Sequence, residues 1–427
     1  VTPSASEAAS RPSLRELTST FFQIGCVSFG GAAGQIAMMH RMIVDERGWI
    51  SERDYLDGLN YCTLLPGPEA QQLATYIGWR LHGVLGGAIS GVLFALPGAL
   101  LILLIAQAYA LGAGIPAVEA LLLGIKAAVV AILVEAVLKF ARRSLKSIEL
   151  RLVALAAFLA MSVFSIPFPV VIIAAAIAGL LIEGRSPSSV QAAPSAVSFP
   201  LRAVIACLVL WWAPVALAAL ALGSGHFLVE TGLLFSKLAV ITFGGAYAVL
   251  AYLADEAVAR GWVTTRQMMD GLGFAETTPG PTILVNPFIA FVAGHRSGTL
   301  MAWLAGLMAL WTTFAPSFLW IFAGGPYLAR VIGNPKLAAM LRGIGAAVVG
   351  VIATVGLKFA LFLLFPGASP LDWGPISLLI PRGMPDLSAF ALVAIALVLT
   401  FALHWPMLRV IAALAAFGLV IGGIVGR

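Results

Sequence analysis

LNYCTLLPGPEAQQLATYIGW, residues 59–79, sets Pro66-Gly67-Pro68 inside an otherwise apolar run, and DGLGFAETTPGPT, residues 270–282, repeats the device at Pro279-Gly280-Pro281. Neither run continues as a helix through its middle. Each proline removes a backbone donor and clashes with the carbonyl one turn back. Backbone freed in this way at membrane depth has to line a cavity or be buried in protein. A helix that restarts after the second proline presents unpaired N–H groups and a positive dipole end, which suits an anion. Proline is also favoured at the first helical position. One such break reads most simply as a structural kink. Two copies at matching places point to a transporter site.

The matching extends well beyond these tripeptides. Phe29-Gly30-Gly31 recurs as Phe243-Gly244-Gly245, and Trp49 as Trp262, each tryptophan just ahead of Ser51 or Thr264. Gly78-x-Arg80 recurs as Gly294-x-Arg296, Pro97 as Pro316, and Leu138-Lys139-Phe140-Ala141 as Leu357-Lys358-Phe359-Ala360. The offset drifts only from 213 to 219 residues, so the chain is an internal duplication with a few small insertions.

Composition sets the class. The residue set AVILMFWYC makes up 61% of the 427 residues and charged residues only 10%, with a mean hydropathy of +1.01. A soluble domain of this size needs far more charge to cover its surface. Runs such as 83–111, 115–140 and 337–365 are long enough to span hydrocarbon. The expected fold is an all-α polytopic membrane protein with about 10–13 membrane segments. Its two homologous halves form an inverted repeat, with broken or re-entrant helices at the Pro-Gly-Pro motifs. Residues 1–16 read as a cytoplasmic tail without a cleavable signal, 17–183 as the first repeat, 184–227 as a linker with one extra span near 201–222, and 228–427 as the second repeat. Six apolar segments fall in each half: 17–40, 57–79, 84–111, 115–140, 151–166 and 168–182, then 229–253, 272–293, 299–323, 337–365, 387–403 and 405–425. The two at 151–182 are short, about 22 Å each at 1.5 Å per residue.

An odd span between the halves starts the second half on the opposite face. Loop charge supports that arrangement. With the N-terminus inside, Arg11, Arg15, Arg80, Arg142, Arg143, Lys146, Arg151, Arg185, Arg202, Arg260, Arg266, Arg330, Lys336 and Arg342 fall inside. Arg41, Arg47, Arg53, Arg296 and Arg382 fall outside. The net charge of +6 therefore reports topology rather than a nucleic-acid partner. Cys26, Cys62 and Cys207 are too far apart to suggest a disulfide framework or a thiolate metal site.

Candidate binding residues gather around the breaks. Glu69, Gln71 and Gln72 follow Pro68, while Glu276 and Thr278 precede Pro279. Gly30, Gly31, Gly244 and Gly245 either pack helices closely or open backbone around a ligand. Lys237 lies opposite Gln23 in the repeat, and Lys126 sits mid-segment. Charge inside a membrane is a functional hypothesis by default, with structural ion pairing its main competitor. Glu135 and Lys139, one turn apart, satisfy each other. Lys139 and Lys358 lie near segment ends and snorkel. Arg80 and Arg296 read as interfacial anchors or as anion-attracting residues on either side.

Residues 21–49 (FFQIGCVSFGGAAGQIAMMHRMIVDERGW), 59–79, 238–253 (LAVITFGGAYAVLAYL) and 270–282 resemble the chromate ion transporter family, in its long two-domain branch. The resemblance covers nearly the whole chain. It departs at Ala32, where the family usually has proline, and at Asn286-Pro287. It implies export of chromate from a bacterial cytoplasm across the inner membrane, conferring resistance, with the residues around both breaks binding the oxyanion.

Chromate and sulfate are tetrahedral dianions of similar shape, so backbone N–H groups with one or two cations suit either. A dianion leaving a cell that is negative inside gains about 4.6 kcal/mol per 100 mV. Uncoupled export is therefore thermodynamically easy, and proton coupling through Glu69 or Glu276 stays open. The expected partners are an oxyanion, the lipid bilayer and a second copy of the chain as a possible homodimer, with no nucleic acid, cofactor or metal. A carrier or channel for sulfate or another anion is the alternative. An intramembrane enzyme is disfavoured because His40, His82, His226, His295 and His404 form no HExxH or paired cluster.

Overall fold

Short helices meeting at their tips organise the computed structural model. It describes residues 11–29, 31–112, 114–183, 200–241, 243, 246–328, 334–374 and 376–425. The first half runs α1 (Leu14–Val27), α2 (Gly31–His40), α3 (Glu52–Leu64), α4 (Glu69–Leu111), α5 (Pro116–Ser144), α6 (Ile148–Ser162) and α7 (Phe168–Glu183). After α8 (Leu201–Leu222) the second half gives α9 (Phe227–Ile241), α10 (Ala246–Ala259), α11 (Thr265–Thr277), a 3₁₀ turn (Thr282–Leu284) with α12 (Val285–His295), α13 (Thr299–Gly324), α14 (Pro335–Leu364), α15 (Leu387–Leu397) and α16 (Met407–Val425). A β-hairpin, β1 (Ser369–Trp373) with β2 (Ile376–Ile380), links α14 to α15 and is a small departure from the all-α expectation.

The break in α4 at His82-Gly83 turns the chain back on itself. Gly83 has φ +61°, and a Cβ on Gly78 would strike the carbonyl of Gly86 and the hydroxyl of Ser90. Residues 69–81 are therefore a short arm lying antiparallel to the long arm, 84–111. Arg80 reaches Asp54 at 3.0 Å, which brings the end of the short arm to the start of α3. His82 Nε2 donates to Pro12 O, His40 pairs with Glu52, and Tyr55 Oη donates to Ile36 O. So α1–α2 and α3–short arm are two re-entrant hairpins entering from one end of the bundle. An arm of 13 residues is about 20 Å long, enough to reach the middle of a hydrocarbon core of about 30 Å but not to cross it.

The second half repeats this from the other end. Arg296 donates to Gly261 O, which joins the end of α12 to the start of α11. Arg260 lies 3.9 Å from Glu230, at the start of α9. Trp303 Nε1 donates to Gln107 Oε1 at 3.1 Å, placing the start of α13 beside the end of the long arm. The repeat is thus inverted, and α8 supplies the odd crossing. Segments 57–79 and 272–293 are the re-entrant helices expected at the Pro-Gly-Pro motifs. Two expectations change. Segments 17–40 and 229–253, counted as crossings, are hairpins as well. Arg41, Arg47 and Arg53 share the end that carries Arg80, whereas Arg260 and Arg266 share the end that carries Arg296. The positive-charge asymmetry between the two ends survives this reassignment.

Beyond the hairpins the halves exchange partners. α5 packs on α15 and α16 of the second half, and α14 packs on α6 and α7 of the first. Glycine makes both crossings possible. A Cβ on Gly124 would meet Leu414 O, and one on Gly418 would meet Ala120 O. On the other side, a Cβ on Gly343 would meet Ala175 O, and one on Gly179 would meet Ala339 O. Close backbone approach of this kind is how helices associate in lipid, where no hydrophobic force acts between them. Among the described residues five helices are long and apolar enough to cross a membrane: Glu69–Leu111, Pro116–Ser144, Leu201–Leu222, Thr299–Tyr327 and Pro335–Leu364. α8 stays peripheral, burying only Trp211 and Val215, with the Trp211 indole donating to Ser236 Oγ at 3.0 Å.

Candidate functional site

Each Pro-Gly-Pro break needs its glycine for the turn. Gly67 has φ +112° and Gly280 φ +98°, conformations that L side chains rarely adopt. Pro68 is extended and α4 restarts at Glu69; Pro281 is extended and the 3₁₀ turn restarts at Thr282. The first N–H groups of each restart have no intrahelical acceptor. Each break is braced by the other half. A Cβ on Gly98, just after Pro97 in the long arm, would strike Pro279 O, and Ser317, just after Pro316 in α13, packs against Gly67. The loop between α1 and α2 adds a clamp: Gly280 N donates to Ser28 O at 2.8 Å, and the Gln35 side chain donates to Gly280 O.

A cavity of about 710 Å³ opens between the two breaks. Thr63, Pro68 and Glu69 line it from the first, and Glu276, Pro281 and Thr282 from the second, with Gly31 nearby. Gly31 has φ +68° and faces open space where a Cβ would point. Toward the end that carries Arg80 the walls become Tyr55, His40, Lys139 and Arg143. Tyr247 Oη donates to Glu276 Oε1 at 2.8 Å, and Lys139 Nζ lies 2.5 Å from Glu135 Oε1. The polar inventory is thus two restarting N-termini, two threonine hydroxyls, two tyrosines, the side chains of Gln35, Asn60 and His40, two cations and three carboxyls. A carboxyl group donates to an anion only when protonated, and otherwise repels it.

Laying one half on the other at the offset of 213 residues pairs Thr63 with Glu276 and Glu69 with Thr282. Sequence reading passed over both threonines and Arg143. That alignment, applied residue by residue, carried the signal for the threonines. Nothing in sequence marked Arg143, whose place follows from how α5 packs.

Other residues expected at the site take other places. The side-chain amide of Gln72 donates to Pro66 O at 2.6 Å and braces the first break from behind, whereas that of Gln71 donates to Thr75 Oγ1 at 3.1 Å and faces Gly91 of the long arm. Thr278 Oγ1 donates to Ala275 O and finishes α11. Pro66, Gly67, Pro279 and Gly280 shape the breaks rather than line the cavity. Lys237 donates to Tyr252 Oη at 2.5 Å and lies 5.1 Å from that ring's centroid, away from the cavity. Lys126 is also elsewhere, 3.1 Å from Asp270 in a second cavity of about 550 Å³. Lys237 is thus hydrogen-bonded and Lys126 ion-paired to side chains other than those of the breaks. Gly30, Gly244 and Gly245 lie outside the described residues.

Two stacked hairpin pairs entering from opposite ends, with broken tips meeting at a polar cavity, define a polytopic membrane transport protein. The sequence model described as chromate transporter matches residues 15–180 and 229–419, and the chain belongs to that family. It is 32% identical over 373 residues to the chromate transport protein of Pseudomonas aeruginosa, covering 84% of each chain. It is 28% identical to the probable chromate transport protein of Synechococcus elongatus, over 94% of this chain and 95% of that one. With the chromate transport protein of Cupriavidus metallidurans it shares 27% identity, over 95% of this chain and 93% of the other. No solved structure matches it.

Proposed function

We propose that this chain exports chromate from the bacterial cytoplasm across the inner membrane, and that the dianion binds between the two Pro-Gly-Pro breaks. One observation carries the reading: a single cavity is lined by both restarting helices, at Glu69 and at Thr282. Free N–H groups and dipole ends from two directions suit a tetrahedral dianion, whose four oxygens accept on every side. Lys139 and Arg143 line the way in from the end where Arg11, Arg80, Arg142 and Arg151 gather, which the positive-inside rule makes cytoplasmic. A cavity opening there loads from the cytoplasm. The membrane potential then favours exit of the dianion by about 4.6 kcal/mol per 100 mV.

The test is radiolabelled chromate flux in vesicles with an imposed potential. Flux that rises as the compartment at the basic end is made more negative is the expected result. Flux indifferent to potential at fixed pH would overturn uncoupled export. Sulfate is the second reading, favoured by the same N–H geometry, and competition between the two anions separates them.

A further inference from the structure

The second cavity lies at the opposite end of α5 and α11 from the first. Tyr109, Lys126, Arg266 and Asp270 line it, and Glu135 and Glu276 on the same two helices line the first. Between the cavities the helices touch: a Cβ on Gly273 would strike Ile125, and Val129 lies just beyond. About 13 Å of α5 separates Lys126 from Glu135.

At the inner wall of this second cavity two donors converge on one carboxylate. Lys126 Nζ lies 3.1 Å from Asp270 Oδ1, and Tyr109 Oη donates to Asp270 Oδ2 at 3.0 Å. The Asp270 side chain is 3% exposed and that of Lys126 13%. The equivalent positions of the duplication carry no such pair. Lys126 corresponds to Gly345 in the other half, and Asp270 to Asp57, which sits at the surface 3.9 Å from Arg53. The remaining acids of the cavity, Glu119 and Asp386, stand at helix N-termini, and Asp386 accepts from the N–H groups of Ser388 and Ala389.

We propose that Lys126 and Tyr109 form a second oxyanion subsite, on the side opposite the first cavity, in which the Asp270 carboxylate is the resident stand-in for the transported anion. An ammonium and a phenol hydroxyl set around one carboxylate present the donors that a sulfate or chromate oxygen requires. An oxyanion passing the Gly273 constriction displaces Asp270 from Lys126, and Asp270 reclaims the lysine once the ion has left toward Arg266 at the mouth. The pair then acts as a latch that opens only for an anion. The ligand class rests on the oxyanion reading above.

The experiment uses the full chain with Cys26, Cys62 and Cys207 changed to serine and Ser388→Cys as a reporter on this cavity's wall. Sulfate is the probe because chromate oxidises thiols, and chloride at equal ionic strength controls for screening. In Asp270→Ala, sulfate should slow labelling of the reporter at a concentration on the order of tenfold lower than in the parent. Adding Lys126→Met should abolish that gain. Asp270→Asn, which keeps the shape, should show a smaller gain and guards against a folding defect in the alanine variant. Protection no better than the parent's in both Asp270 variants would overturn the proposal. So would parental flux in Lys126→Met/Asp270→Leu, because a purely structural buried pair is often replaceable by apolar residues. Absent chromate flux in the parent, with sulfate protection intact, would sink the transport reading and leave this subsite standing.

Discussion

At the first Pro-Gly-Pro break Thr63 precedes the turn and Glu69 follows it; at the second Glu276 precedes and Thr282 follows. The scaffolds agree closely: glycines at positive φ, extended prolines, a helical restart, and a bracing residue after a proline in the other half. The side chains facing the cavity do not. A duplication that preserves geometry while transposing acid and hydroxyl keeps one of each at both breaks, but on opposite sides of the turn. The surroundings diverge further. Glu276 accepts from Tyr247 and feels the charges of Glu135 and Lys139, whereas Glu69 feels that of Arg143. The two breaks thus share a backbone frame and differ in the side chains they present to the cavity.

The largest expected effect breaks the bracing symmetry. Gly98→Ser copies the residue at Ser317 but drives its Cβ into Pro279 O, a backbone atom that cannot swing aside. Overpacking of this kind costs about 1–3 kcal/mol, so most of the variant should be lost from the monodisperse peak on size exclusion. Ser317→Gly, the reciprocal change, should elute like the parent.

Next come the turn glycines. Gly67→Ala and Gly280→Ala force a side chain into a conformation costing about 1–3 kcal/mol. Gly67→Ala also pushes on the Gln72 amide, whereas Gly280→Ala meets only the end of Leu284. Both should cut chromate flux at least about tenfold while folded yield falls less, with Gly67→Ala the more destabilised in a thermal melt.

These features were unequally visible in sequence. The duplication and both breaks were legible because Pro, Gly and Trp at fixed offsets survive as letters. Hairpin and span were not distinguishable. A run such as 57–79 is equally apolar whether the chain crosses at Pro66–Pro68 or folds back there, and the deciding contact, Arg80 with Asp54, lies in three dimensions. The exchange of α5 and α14 between halves was invisible for the same reason. Sequence groups Lys126 with the candidate charges of the breaks, since its partner Asp270 is far away in the chain. Arg143 was read only as loop charge.

A smaller effect tests the cytoplasmic mouth. Arg143→Gln should slow chromate capture about threefold to tenfold at low ionic strength, and the difference should shrink above about 0.15 M salt, as expected for steering by a solvent-reached charge. The smallest effect belongs to Glu135 and Lys139, whose side chains are 27% and 71% exposed. Replacing both, by Gln and Met, should change stability by less than about 1 kcal/mol and leave flux nearly intact. Loss of flux in a well-folded double variant would move the pair into the transport mechanism.

A single oxyanion held between the two breaks makes a demand that no other placement makes. Thr63→Cys and Thr282→Cys, one on each break, are prepared separately in the background lacking Cys26, Cys62 and Cys207, and the rate of thiol modification is followed against sulfate. Both thiols should be protected with the same half-maximal sulfate concentration. Protection of neither, or half-maximal concentrations that differ by more than about tenfold, would place the anion elsewhere.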